Sequence, residues 1–151
     1  MTRQHPLDNR VPPPVLGVAA ALVQHRLPRV LPSPRRRVAA GAVALASAVV
    51  AGSSSHLFQR SGTTVNPLAP ETASALVTDG AFGLTRNPMY VGMAGVLLAH
   101  AILRGHPSQL LPVAGWVAYI DRFQVRPEER ALSAKFGSAY DDYTQRVHRW
   151  L

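Results

Sequence analysis

At 151 residues the chain has material for one domain, 47% of it hydrophobic and only 16% charged, with mean hydropathy near zero. An ordinary soluble domain is about a quarter charged, so solvating groups are scarce, and the net charge of +8, nearly all arginine, suits anionic lipid or nucleic acid. The arginines flank apolar runs instead of interleaving with aromatics, which favours lipid over nucleic acid, and the absence of cysteine excludes disulfides, thiolate metal sites and cysteine nucleophiles.

In chain order, residues 1–10 are polar and read as a flexible N-terminus. They lack the basic start, continuous apolar core and small-residue cleavage site of a signal peptide. Residues 15–23 are apolar, preceded by Pro12, Pro13 and Pro14 and followed by Gln24, His25 and Arg26. They predict a helix that is either a short, tilted span or a peripheral helix on the surface. Pro28, Pro32 and Pro34 with Arg35, Arg36 and Arg37 make a stiff, basic connector. Residues 38–52, extended by 53–58, approach the length of a full span, and their small side chains permit close helix approach.

Residues 59–87 turn to Gly, Pro, Asn and Thr and predict a loop. Its Leu76-Val77-Thr78-Asp79-Gly80 stretch reads as a short extended piece entering a tight turn. The apolar stretches 88–103 and 110–123, joined by residues 104–108, predict an antiparallel helical hairpin spanning 88–123. From Pro127 to about residue 149 the pattern becomes amphipathic, with Leu132, Phe136, Tyr140, Tyr143 and Val147 on one face of a single helix. The fold class is therefore all-α, a multi-pass membrane protein with about four apolar helices. Three apolar segments separate the arginine connector from the basic C-terminal segment, which puts them on opposite sides and leaves the orientation open.

Chemistry gathers at two helix starts. Asn87 and Pro88 read as an N-cap and first helical residue, with Arg86 just outside the positive helix end, an arrangement that can hold an anion or simply cap a helix. Tyr90, in the first turn, is either an interfacial anchor or a ligand contact. Glu128 and Glu129 follow Arg126 and Pro127 at a second expected helix start. Neighbouring helix positions diverge by about 100°, so one glutamate should face the site and the other an arginine such as Arg122 or Arg126. Asp121, late in an apolar helix, is either locally salt-bridged or part of the pocket. The six histidines show no metal-ligand spacing, and no P-loop or dinucleotide fingerprint occurs.

Together, T-T-V-N-P-L-A-P-E (63–71), L-V-T-D-G-A-F-G-L-T-R-N-P-M-Y-V-G (76–92), F-Q-V-R-P-E-E-R-A-L (123–132) and F-G-S-A-Y-D-D-Y-T-Q-R-V-H-R-W (136–150) resemble the isoprenylcysteine carboxyl methyltransferase and phospholipid methyltransferase superfamily. L-D-N-R-V-P-P-P near the start is similar to its small bacterial members. The resemblance implies S-adenosylmethionine as methyl donor and a small hydrophobic, lipid-like or prenylated acceptor carrying a carboxylate or an amine. It also implies a cytoplasmic-membrane protein whose cofactor site faces the cytoplasm, without metal. Leu76, Val77, Gly80, Arg86, Asn87, Tyr90, Glu128 and Glu129 would contact the cofactor, with Arg86 and Tyr90 as catalytic candidates. Asn87 stands where the superfamily frequently has histidine, and asparagine does not titrate near neutrality. The competing reading is a non-catalytic membrane protein of the same fold that binds lipid or a partner protein.

Overall fold

A computed structural model of the chain describes residues 5–62 and 72–151. Among these residues there are six α-helices and no strand: α1 (Pro13–Arg26), α2 (Pro34–Arg60), α3 (Pro88–Arg104), α4 (Leu110–Ile120), α5 (Arg126–Phe136) and α6 (Ser138–Arg146). The T-T-V-N-P-L-A-P-E motif at 63–71 lies outside the described residues.

Pro34 opens α2 behind Ser33, whose hydroxyl accepts from the Arg36 amide at 3.3 Å. Its 27 residues rise about 40 Å at ~1.5 Å per residue, more than the roughly 30 Å hydrocarbon core needs. This is the one helix among the described residues long and apolar enough to cross a membrane. Val38, Leu45 and Val49 stay exposed along it. Its buried residues, Ala40, Ser47 and Ser54, recur every seven positions and so form one stripe. That stripe meets α3 at Gly92 and Gly95. A Cβ on Gly92 would come within 2.8 Å of both Ala51 Cβ and the Ser47 carbonyl, and one on Gly95 would collide with the Ser47 hydroxyl. Small residues thus let the two backbones touch, as the composition of α2 suggested.

α1 packs along α3 and α4. Gln24 is fully buried: its amide donates to the carbonyls of Leu97 (3.1 Å) and Gln109 (3.0 Å), and its oxygen meets His100 Nδ1 at 2.9 Å. At the other end of α1 the Trp116 indole donates to the Pro13 carbonyl at 3.4 Å. Tyr90, Leu97, Trp116, Ile120 and Val125 form the core between these ties. α3 ends at Gly105, whose φ of 71° is the left-handed conformation that favours glycine at a helix terminus. A short 3-10 turn, Pro107–Gln109, then leads into α4.

Three expectations need correction. First, Arg126-Pro127 does not start a new helix. α4 continues through a π turn, Asp121–Val125, straight into α5. Proline has no amide proton, so Pro127 leaves the Phe123 carbonyl free within the helix. That carbonyl instead accepts from the Asn9 amide at 2.9 Å. Second, the amphipathic segment 127–149 is not one helix. Gly137, with φ 53° and ψ −130°, separates α5 from α6, and the chain is extended from Val147. Third, residues 5–10 are tied down: besides the Asn9 bond, Asp8 pairs with Arg130 at 2.7 Å and the His5 ring lies 5.1 Å from that of Phe123.

Candidate functional site

The starts of α1 and α3, the end of α2 and the first turn of α5 converge around a cavity of about 250 Å³. Small-molecule sites run roughly 300–1,000 Å³, so this one is at the small end. Its walls are largely apolar, with Phe58, Leu76, Val77, Phe82, Met89 and Met93 among them. Arg86, Asn87, Tyr90, Glu128 and Glu129 also line it. Seven of the eight residues expected to contact a cofactor are therefore on one cavity. Gly80 is not among the lining residues. Its φ of 58° fits the expected turn, and a Cβ there would meet Leu57 at 2.8 Å.

α3 starts at Pro88 as expected, but the Asn87 side chain does not cap it. Its amide nitrogen donates to the Arg149 carbonyl at 3.0 Å. The Thr85 hydroxyl donates to that same carbonyl at 3.0 Å, and the Arg86 amide donates to the carbonyl of His148 at 2.9 Å. Residues 85–87 are thus strapped to the extended tail after α6. Tyr143 fixes the adjacent turn, Gly80–Gly83, by donating its hydroxyl to the Phe82 carbonyl at 2.7 Å.

Both glutamates line the cavity, and neither pairs with Arg122 or Arg126 as the sequence suggested. Glu128 Oε1 accepts from the Tyr90 hydroxyl at 2.6 Å and from Gln124 Nε2 at 2.7 Å. Oε2 has no hydrogen-bond partner among the described residues. Burial, aided by neighbouring Glu129, lifts the Glu128 carboxyl to about 7 against the pull of those two donors. Glu129 instead sits between two guanidiniums. It lies 3.2 Å from Arg86 Nη2, and it takes a two-pronged contact from Arg149, Nε to Oε1 at 2.9 Å and Nη2 to Oε2 at 2.6 Å. Arg86 keeps a buried Nε with no partner among the described residues. Burial, reinforced by Glu129, pushes the Tyr140 phenol on the same wall up to about 12.

Asp121 is structural. It pairs with Arg126 at 2.9 Å, accepts from the Trp150 indole at 3.1 Å and lies 3.5 Å from Arg149, and it does not line the cavity. Among the described residues no group of three His, Asp or Glu side chains could hold a metal ion. Sequence reading missed Arg149 and Gln124. The basic tail gave no local sign of folding back. Gln124, though, stands four positions before Glu128, the spacing at which helical side chains meet.

The family model described as phospholipid methyltransferase matches residues 35–139, more than half of the chain. A relative from Haemophilus influenzae, described as an uncharacterized protein, is 38% identical over 63 residues, which cover 42% of this chain and 100% of that protein. No solved structure matches the chain. The matched segment takes in α2, α3 and both cavity glutamates, and on it the chain belongs to the phospholipid methyltransferase family, within the isoprenylcysteine and phospholipid methyltransferase superfamily.

Proposed function

We propose that this chain is a multi-pass membrane methyltransferase that uses S-adenosylmethionine to methylate the amine of a lipid-like acceptor at the cytoplasmic membrane surface. Family membership supports methyl transfer to lipid-like substrates. The observation that carries the choice of an amine is Glu128, a cavity carboxylate poised near neutrality with one oxygen open.

The residues present fit the cofactor. The unpartnered Arg86 Nε is a donor suited to its carboxylate, and Glu129 is an acceptor suited to its ammonium or ribose hydroxyls. Leu76, Val77 and Phe82 offer a face on which a purine can rest. When bound, the cofactor supplies a methyl group on a sulfonium, so that the bond to sulfur breaks as the bond to the acceptor forms.

An alkylammonium head group has no lone pair until it loses a proton. Glu128 Oε2 accepts that proton, leaving a neutral nitrogen as nucleophile. Tyr90 positions Glu128 through Oε1, and Arg86 with Arg149 steadies Glu129. A carboxylate acceptor would need no base and would meet two acidic side chains.

The test is incubation of membranes containing the full chain with methyl-labelled donor. Alkali-stable label on an amine-bearing lipid is expected; alkali-labile label, a methyl ester, would overturn the amine reading. Folded wild-type protein that binds no S-adenosylmethionine by calorimetry would overturn the enzyme reading.

A further inference from the structure

At the end of the bundle opposite the cavity, the elbow between α1 and α2 folds over the end of α3. The Val30 backbone amide donates to the Arg104 carbonyl at 2.8 Å, and Gln109 Nε2 donates to the Pro28 carbonyl at 2.8 Å. Arg104 Nη2 donates to the carbonyls of His25 (2.9 Å) and Leu27 (3.1 Å). Beside them the Arg36 guanidinium packs on Gly105 and donates to the Leu31 carbonyl. These bonds shape a cleft of about 440 Å³ lined by His25, Arg26, Leu27, Pro28, Arg29 and Arg104.

The cleft carries three guanidiniums and, among the described residues, no acidic side chain. The sequence contains no Asp or Glu between Asp8 and Glu71 or between Asp79 and Asp121. Arg26, Arg29 and Arg104 make no ion pair among the described residues. Arg104 is only 8% exposed, and its Nε is buried without a partner among the described residues. A guanidinium desolvated in this way is costly unless an anion completes it. Its planar fork suits phosphate oxygens in particular.

The surroundings say which anion. Arg35 and Arg37 are exposed beside the elbow, and the apolar face of α2 begins at Val38, which is 73% exposed. The 17 residues of α3 put the cleft about 25 Å from the cavity at ~1.5 Å per residue, close to one hydrocarbon thickness. We propose that this cleft binds the phosphate of an anionic phospholipid in the leaflet opposite the cofactor cavity, with Arg104 at its base and Arg26 and Arg29 at its rim. The proposal needs α2 to cross the bilayer; it does not need the chain to transfer methyl groups.

The test is native mass spectrometry of the full chain in detergent, titrated with short-chain phosphatidylglycerol and with phosphatidylcholine of the same chain length. Wild-type protein should retain phosphatidylglycerol at least about tenfold better, and the R26Q/R29Q double variant should lose most of that preference. Both substituted residues are exposed, so the variant should fold. Equal retention of the two lipids, or an unchanged preference in the variant, would overturn the proposal. Displacement of phosphatidylglycerol by equimolar inorganic phosphate or by a short oligonucleotide would overturn the lipid assignment.

Discussion

A carboxyl group that titrates near 7 inside an apolar cavity can change charge at the pH of a cell, and the direction of each consequence follows. As a proton acceptor Glu128 must be ionised, so kcat/KM should rise with pH and level off above an inflection near 7. Glu128→Gln should remove that inflection and lower the rate by about 10²–10⁴-fold. Stability should move the other way. The folded pKa lies above the ordinary carboxyl value of 4.5, so between those values the folded state binds more protons than the unfolded state and stability falls as pH rises. The melting temperature of wild type should therefore drop between pH 5 and 7.5 by more than that of Glu128→Gln. Equal slopes would mean that Glu128 is not buried. Arg149 belongs to the same scale. Replacing it by Gln removes a paired charge from Glu129, and cofactor affinity by calorimetry should fall by about tenfold or more. Arg86 and Tyr90 could be picked from a short motif because the helix start at Pro88 is local, and Glu128 and Glu129 from an adjacent acidic pair just beyond an apolar stretch. Arg149 could not, because its place depends on a tail returning to residues more than sixty positions earlier.

Between helices, the contact that fixes α2 against α3 leaves no room for a side chain. Gly92 faces the Ser47 carbonyl, part of a helix backbone that cannot swing aside, whereas Gly95 faces the Ser47 hydroxyl, which can turn. Gly92→Val should cost about 1–3 kcal/mol or more, as overpacking does, and Gly95→Ala should cost less. Thermal unfolding in detergent checks the order; a larger loss for Gly95→Ala would show that the two helices are not packed this way. The small-residue composition of α2 made such an interface legible. The π turn before α5 was not legible, because a proline followed by acidic residues reads the same at a helix start as at an interrupted helix. What distinguishes them is the Asn9 amide reaching the Phe123 carbonyl, a tertiary contact with no local signature. Gly137 was similarly hidden: the apolar spacing on either side matches one helix, and the break lies in a backbone conformation that a residue pattern does not record.

Across the whole molecule the charges divide by end. Among the described residues, Arg26, Arg29, Arg35, Arg36, Arg37 and Arg104 gather at the elbow end without an acidic neighbour, while the other nine described Lys and Arg residues mingle with the described Asp and Glu residues. Orientation follows the count of Lys and Arg near the spans, not net charge. The cavity end holds the larger share, so the arginine connector does not oppose a cytoplasmic cofactor site. With α2 crossing, Ser33 before it and Ser138 at the start of α6 should face opposite sides of the membrane, and both are exposed. The chain has no cysteine, so single substitutions report without background. In intact cells a membrane-impermeant maleimide should label Ser33→Cys directly and Ser138→Cys only after permeabilisation. The reverse pattern would invert the orientation and turn the cavity away from the cytoplasmic cofactor. Direct labelling of both would mean that an even number of crossings separates them, so that one of α2, α3 and the continuous α4–α5 helix does not cross.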